Sequence, residues 1–380
     1  MFECPTRVHY GWGASDQIGE RLGELGVTRA LLVSDRGVQS VGSVDRVAGL
    51  IRASGIDAVV YAETQPNPTT SNVEEVVALW REHVCDGVVG LGGGSSMDAA
   101  KAAAAVVANG GSITDYAGKD RLENDSPPVV CIPTTCGTGA EVTFVVVVTD
   151  PDRHAKVVCV SRRLGARLAI VDPELVLTAP AHVIAATGAD ALAHATESYV
   201  NTGSDPLLDS INIAVIRMIG RNLRSAAESR DREAVARMAL ASTMAGIAFN
   251  MNANAVVHAA STPVTAYYGV PHGVANAILL PAGLDFLRPA CEDRLRDIAE
   301  ALGEDVSSLS VAEAAERGVE AVRRLVRAVE LPGSLREAGV DPADVDIPAL
   351  VEDAMKSRNI ATNPRTVTRA DLADLYRAVL

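Results

Sequence analysis

Short apolar runs alternate with amphipathic stretches through the first half of this chain, and after Pro180 the short runs stop. Residues 30–34, 58–61, 87–90 and 129–132 read as buried strands rich in Val, Leu and Ile. Between them, residues 44–54, 72–82 and 96–109 carry helical patterns. That βαβαβ order predicts a parallel sheet with helices on both faces, a Rossmann-like arrangement. Two Val-rich runs, 143–149 and 156–160, flank Asp150-Pro151-Asp152 and predict an antiparallel pair. Residues 169–171 read as a last strand. Beyond this point helical periodicity dominates, most clearly over 206–229, 233–250, 312–329 and 369–379. The chain is therefore expected to fold as an α/β domain, residues 1–180, followed by an all-α domain, residues 181–380. There is no internal repeat and no low-complexity segment.

Composition narrows the picture. With 48% hydrophobic but only 3% aromatic residues, the core must be built mainly from Ala, Val, Leu and Ile. A net charge of −14 disfavours nucleic acid and anionic membrane surfaces, which need a basic footprint. The six cysteines form no Cys-x-x-Cys pair and no disulfide-like spacing, so a reduced, cytoplasmic setting is expected. The segment Met1-Phe-Glu-Cys-Pro5 lacks the pattern of a signal peptide. No apolar run reaches the roughly 18 residues that a membrane helix needs.

The candidate chemistry lies in Thr187-Gly-Ala-Asp190-Ala-Leu-Ala-His194-Ala-Thr-Glu197, with His258 and His272 further on. Residues four apart share a helix face, so Asp190 and His194 point at one spot. One carboxylate and three imidazoles suit a single divalent transition metal, iron or zinc. Each residue alone has a bland reading, as a core histidine, a loop histidine or a helix-surface pair; only their joint occurrence points to a site. Glu197 reads as structural, bonding to backbone. Phe249 is either core packing or a wall of the substrate pocket.

The glycine loop Gly90-Leu-Gly92-Gly93-Gly94-Ser95-Ser96-Met-Asp98 sits between the third recognised strand and a helix. Such a loop lets a pyrophosphate approach the backbone and the free N–H groups of the helix start. It is neither a Walker loop nor a G-x-G-x-x-G fingerprint. Thr134, Thr135 and Thr138 offer hydroxyls suited to ribose and phosphate. Asp35, just after the first recognised strand, can accept from a ribose 2′-OH and would repel a 2′-phosphate. Lys356, Arg358 and Asn359 read as solvated surface, with contact to a substrate anion as the alternative. Cys136 reads as a small buried residue.

In order and spacing these segments resemble the iron-containing (group III) alcohol dehydrogenase family. The matching pieces are Gln65-Pro-Asn-Pro68, Gly92-Gly-Gly-Ser95 with Asp98 and Lys101, Pro133-Thr-Thr-x-Gly-Thr-Gly139, Lys156, the Asp190–His194 motif, Pro271-His-Gly-x-Ala-Asn276 and Asn363-Pro-Arg365. The resemblance implies a metal-dependent, NAD(H)-linked alcohol dehydrogenase or aldehyde reductase acting on a small alcohol or aldehyde. It implies Fe²⁺, or Zn²⁺, on Asp190, His194, His258 and His272. It places the cofactor against Gly92, Gly93, Gly94, Ser95, Asp98, Thr134, Thr135, Thr138 and Lys156, with Asp35 favouring NAD over NADP. A homodimer formed through an edge strand is expected. One departure stands out: the family's second histidine, in His-x-x-x-His, is Thr262 here. Threonine can pass a hydrogen bond along but is no base near neutral pH, which points to a specialised substrate. A dehydroquinate-synthase-like lyase and a non-catalytic nucleotide-binding protein are the alternatives on the same fold.

Overall fold

The computed structural model describes residues 3–153 and 155–380. Contacts divide the chain into two compact units, Met1–Ala179 and Pro180–Leu380. Among the described residues the first unit holds strands β1 (Arg7–Tyr10), β2 (Arg29–Val33), β3 (Asp57–Tyr61), β4 (Gly87–Gly92), β5 (Gly118–Lys119), β6 (Val129–Pro133), β7 (Val145–Asp150), β8 (Ala155–Val160) and β9 (Leu168–Val171). Six of them form a sheet in the order β1-β9-β6-β4-β2-β3. All neighbours in it run parallel.

Strands β4, β6 and β9 are buried along their whole length, which is why they read as unbroken apolar runs rather than alternating ones. Successive residues of β2 feed opposite faces. Leu31 and Val33 pack with Val73, Val76 and Ala100, from the helices Thr70–His83 and Gly94–Asn109. Ala30 and Leu32 pack with Ile18, Leu22, Val44 and Val47, from the helices Ile18–Glu24 and Ser43–Ala53. Helices on both faces were expected from the pattern.

Strand β1 was not. Its sequence, Arg-Val-His-Tyr, leaves three of four positions exposed and carries no core signal. It is held by parallel pairing with β9, and next to it the Thr6 hydroxyl donates to the Ala166 carbonyl at 2.8 Å. The glycine loop consequently follows the fourth strand in chain order, not the third.

Strand β3 lies on one side of β2 and β4 on the other, so the sheet changes its direction of growth between β2 and β4. A crevice forms at the carboxyl ends of strands at such a switch point. Asp35 follows β2 there and the glycine loop follows β4.

The expected hairpin is present as antiparallel β7 and β8, paired from Val145↔Val160 to Asp150↔Ala155. Asp150 Oδ1 accepts from the N–H groups of Asp152 and Arg153 at 3.0 and 3.1 Å and closes the turn. Pairing begins at Val145 rather than residue 143. The backbone just before it bends around Lys101, a lysine only 1% exposed. Lys101 Nζ donates to the carbonyls of Ala140 and Val145 at 2.9 and 2.8 Å, and sits 3.3 Å from Asp98 Oδ1. Asp98 Oδ2 accepts from the Val147 N–H at 2.9 Å. This pair ties β7 to the helix Gly94–Asn109.

The second unit contains no strand among its described residues. Its central helix, Ala181–Val200, is buried at every position from Gly188 onward. It packs against helices Pro206–Glu228, Arg232–Asn252 and His272–Leu287. Close approach rests on small residues: a Cβ on Gly273 would lie 2.3 Å from the Ala186 carbonyl oxygen. Among the described residues one helix, Arg232–Asn252, is long and apolar enough to cross a membrane by length and composition, although polar residues interrupt it. Its most apolar stretch is 67% buried inside the fold.

Lys101→Met keeps an apolar stem but leaves the Asp98 carboxylate uncompensated. Unfolding free energy is expected to fall by about 3–5 kcal/mol, read as a lower urea midpoint at unchanged slope. A loss below about 1 kcal/mol would contradict a structural role for the pair.

Candidate metal centre and nucleotide loop

Asp190 and His194 lie one turn apart on Ala181–Val200, as their spacing predicts. His258 is the third residue of helix Val256–Tyr268, and His272 is the first of helix His272–Leu287. One ligand atom each from Asp190, His194 and His258 lies within 4.8 Å of the other two, and all three residues are buried. His258 Nε2 is 3.7 Å and His272 Nε2 is 3.9 Å from Asp190 Oδ1. Ligand atoms about 2.0–2.2 Å from one metal ion stand roughly 3–3.5 Å apart, so the Asp190–His258 and Asp190–His272 spacings lie within a few tenths of an ångström of those at a metal ion. The His272 side chain is 40% exposed and forms the open side of the group. Phe249 stacks on His194 with centroids 4.1 Å apart, and His194 stacks on His258 at 4.5 Å.

Two further side chains organise the cluster. Glu197, fully buried, accepts from the backbone N–H groups of Val257 at 2.6 Å and His258 at 3.2 Å, and also contacts His258 Nδ1. A hydrogen on Nδ1 leaves the lone pair on Nε2, facing Asp190. This is the carboxylate–histidine–metal arrangement that sets tautomer and basicity at metal sites. The backbone role expected for Glu197 is present; its grip on the His258 ring was not foreseen. Asn276 was passed over except as part of a motif, though it lies one turn after His272 on the same helix face. Its Nδ2 donates to Asp190 Oδ1 at 2.6 Å and lies 3.2 and 3.1 Å from Nε2 of His258 and His272. Asn276 Nδ2 thus stands where one carboxylate oxygen and two ring nitrogens converge. The donor set fits a divalent cation.

Electrostatics agree. Burial alone would raise the Asp190 carboxyl, but His194, His258 and His272 hold it well below the usual carboxylate range. Burial alone would lower the His258 imidazole, but Glu197 and Asp190 push it up to about 9. Without a metal, His258 therefore takes a proton to meet the negative charge around it, and a bound cation replaces that proton.

Thr262 lies apart from these contacts. It is exposed, and its hydroxyl donates to the His258 carbonyl at 2.9 Å.

In the first unit, Gly93 caps helix Gly94–Asn109 without a side-chain hydrogen bond, leaving backbone N–H groups at the helix start for an anion. Gly92 has φ 145°, and a Cβ on Gly94 would lie 3.1 Å from the Thr138 side chain. Thr134 N–H donates to the Gly92 carbonyl at 3.0 Å, which sets Thr134, Thr135 and Thr138 beside the loop. Thr135 Oγ1 is buried without a hydrogen-bond partner. Asp35 caps the next helix through the Val38 N–H at 3.0 Å and accepts from Ser96 Oγ at 3.1 Å. Ser95 Oγ donates to the Pro66 carbonyl at 2.6 Å, and Lys156 Nζ donates to Asn67 Oδ1 at 2.8 Å, so the Gln65–Pro68 stretch borders the loop. Asp98, partly buried, accepts from the Val147 N–H and is ion-paired with Lys101. Cys136 is fully buried.

The sequence profile of the iron-containing alcohol dehydrogenases matches residues 5–173, and that of the C-terminal part of the same family matches residues 184–380. The chain belongs to the iron-containing alcohol dehydrogenase family. It is similar to the NAD-dependent methanol dehydrogenase of Bacillus methanolicus, 39% identical over 100% of this chain and 99% of that protein. It is also similar to the lactaldehyde reductase of Escherichia coli K12, 35% identical over 97% of this chain and 96% of that protein. The crystal structure of a 1,3-propanediol oxidoreductase superposes with a TM-score of 0.97 at 37% identity, covering 100% of both chains. This member of the family is an oxidoreductase acting on CH–OH groups, an alcohol dehydrogenase or aldehyde reductase.

Glu197→Gln keeps an acceptor for the backbone but turns away the Nδ1 hydrogen of His258. Affinity for Fe²⁺ or Zn²⁺ is expected to drop about 10- to 100-fold, measured by competition with a chelator. Unchanged affinity would mean that Glu197 serves the backbone alone.

Proposed function

We propose that Asp190, His194, His258 and His272 hold a divalent iron, that the Gly92–Gly94 loop holds the pyrophosphate of NAD(H), and that the enzyme interconverts a small, specialised alcohol and its aldehyde. The observation that carries this reading is the convergence of one buried carboxylate and three imidazoles, with Glu197 fixing the outward nitrogen of His258. When bound, the iron supplies a Lewis acid for the substrate oxygen and NAD(H) the hydride partner.

Asp190 brings one negative charge and the histidines none, so part of a dication's charge stays uncompensated toward substrate. Phe249 orients His194 by stacking and excludes water from its buried face. The free N–H groups at the start of Gly94–Asn109 and the unpartnered Thr135 hydroxyl suit the pyrophosphate. Thr134, Thr138, Ser95 and Lys156 line the approach to that loop, with Asp98 supporting it from behind. Asp35 stands where a ribose 2′-OH is accepted and a 2′-phosphate repelled. With Thr262 bonded to the His258 carbonyl, no base occupies the place of the family's second histidine, which favours a substrate narrower than simple alcohols. Six free cysteines fit a cytoplasmic location. The exposed Val8 and Tyr10 on edge strand β1 favour a homodimer formed through that edge.

The deciding experiment follows NADH consumption by anaerobically purified, Fe²⁺-reconstituted protein over a panel of short aldehydes. Metal-dependent consumption, abolished in Asp190→Ala, is expected; equal consumption by metal-stripped protein would overturn the reading. Asp35→Ser removes the repulsion of a 2′-phosphate and is expected to raise kcat/KM for NADPH relative to NADH about 10- to 100-fold. An unchanged ratio would place cofactor choice elsewhere.

A further inference from the structure

Residues 356–365, on either side of Asn363, contain three basic side chains, and two are engaged. Lys356 pairs with Asp353 at 2.6 Å, and Arg365 donates to the Phe286 carbonyl at 2.9 Å while lying over the Phe286 ring. The Arg358 guanidinium has no hydrogen bond or ion pair to any described residue, although its backbone carbonyl accepts from the Ala361 N–H at 3.3 Å. This chain has 48 acidic residues against 34 Lys and Arg, so carboxylates are not scarce. Other arginines in desolvating positions, such as Arg46 and Arg294, are met by carboxylates. The Arg358 side chain is exposed to solvent, and the protein around it pulls its pKa below the ordinary arginine value.

Its backbone is held firmly and close to the metal cluster. The short turn Arg358–Ile360 packs against helix Val256–Tyr268. Asn363 Oδ1 accepts from the Val256 N–H at 2.9 Å, while its Nδ2 donates to the carbonyls of Asn359 and Ile360 at 2.8 and 3.0 Å. Thr362 Oγ1 bridges the carbonyls of Asn254 and Asn359 at 2.7 and 2.9 Å. The turn is thus bonded to the start of the helix that carries His258, two residues or about 3 Å of helix rise before that histidine. A long cationic side chain with five donors and no protein acceptor hangs from a rigid turn at that point.

We infer that Arg358 binds a negatively charged group carried by the substrate, so that the preferred substrate is a short aldehyde or alcohol with a carboxylate, sulfonate or phosphonate at its far end. This deepens the dehydrogenase reading and rests on it. The guanidinium fork matches the paired oxygens of such groups. Because the anion is remote from the reacting carbon, its binding energy orients that carbon at the cluster. It also gives a physical content to the narrowed specificity signalled by Thr262.

The test compares reconstituted wild-type enzyme and Arg358→Ala on propanal, as the uncharged aldehyde, and on 2-oxoethyl sulfonate, 2-oxoethyl phosphonate and 4-oxobutanoate. The wild type is expected to favour at least one anionic aldehyde. Arg358→Ala is expected to lower the ratio of kcat/KM for that aldehyde to kcat/KM for propanal by about 10- to 100-fold, mostly through KM. Arg358→Lys should recover part of the ratio, as a point charge without the fork. An unchanged ratio in Arg358→Ala, or a wild type that prefers propanal to every anion, would overturn the inference while leaving the dehydrogenase standing. Turnover of no aldehyde at all would overturn both.

Discussion

A carboxylate buried among alanines must be compensated, and much of the helical unit is arranged around that requirement. Asp190 lies on a helix whose surroundings are almost wholly apolar. An isolated charge there would cost several kcal/mol. The compensation comes from His258, His272 and Asn276, on two other helices, and from His194 on its own. Glu197, about two turns further along the same helix, poses the same problem and meets it differently. It takes the backbone N–H groups at the start of helix Val256–Tyr268, where the helix dipole favours negative charge, together with the ring of His258. One helix thus presents two buried carboxylates, and the neighbouring helices are located by answering them. A metal ion completes an electrostatic arrangement that the fold already requires.

The α/β unit contains the inverse case. Lys101 is a buried cation, answered by the carbonyls that precede β7 and by Asp98. That arrangement fixes the far side of helix Gly94–Asn109 and leaves its N-terminus uncapped. Asp98 accepts from the Val147 N–H through Oδ2 and is ion-paired with Lys101 through Oδ1, while Thr135 has a buried hydroxyl without a partner.

How much was legible in advance followed from how each feature is encoded. Strands β4, β6 and β9 were readable because burial on both faces imposes an unbroken apolar run. Edge strand β1 was not, because its residues face solvent and its place is set by pairing with β9. Asp190 and His194 were readable as a pair because helical spacing places them together. The contacts of Asp98, by contrast, were not readable, because Lys101 and β7 reach it only through the packing of the hairpin against the helix.

The sequence by itself determined the alternation of strands and helices, the change of texture near Pro180, the glycine loop and the candidate metal-ligating side chains. These are properties of local period, backbone freedom and residue chemistry, and they persist whatever the chain does next. Only the tertiary structure decided that Glu197 grips the His258 ring, that Asn276 sits where three acceptors meet, that Thr262 turns to its own helix, and that Arg358 stands without a carboxylate. Each of these depends on which distant residue arrives within hydrogen-bonding distance. That is set by the packing of helices separated by tens of residues, and no local pattern records it.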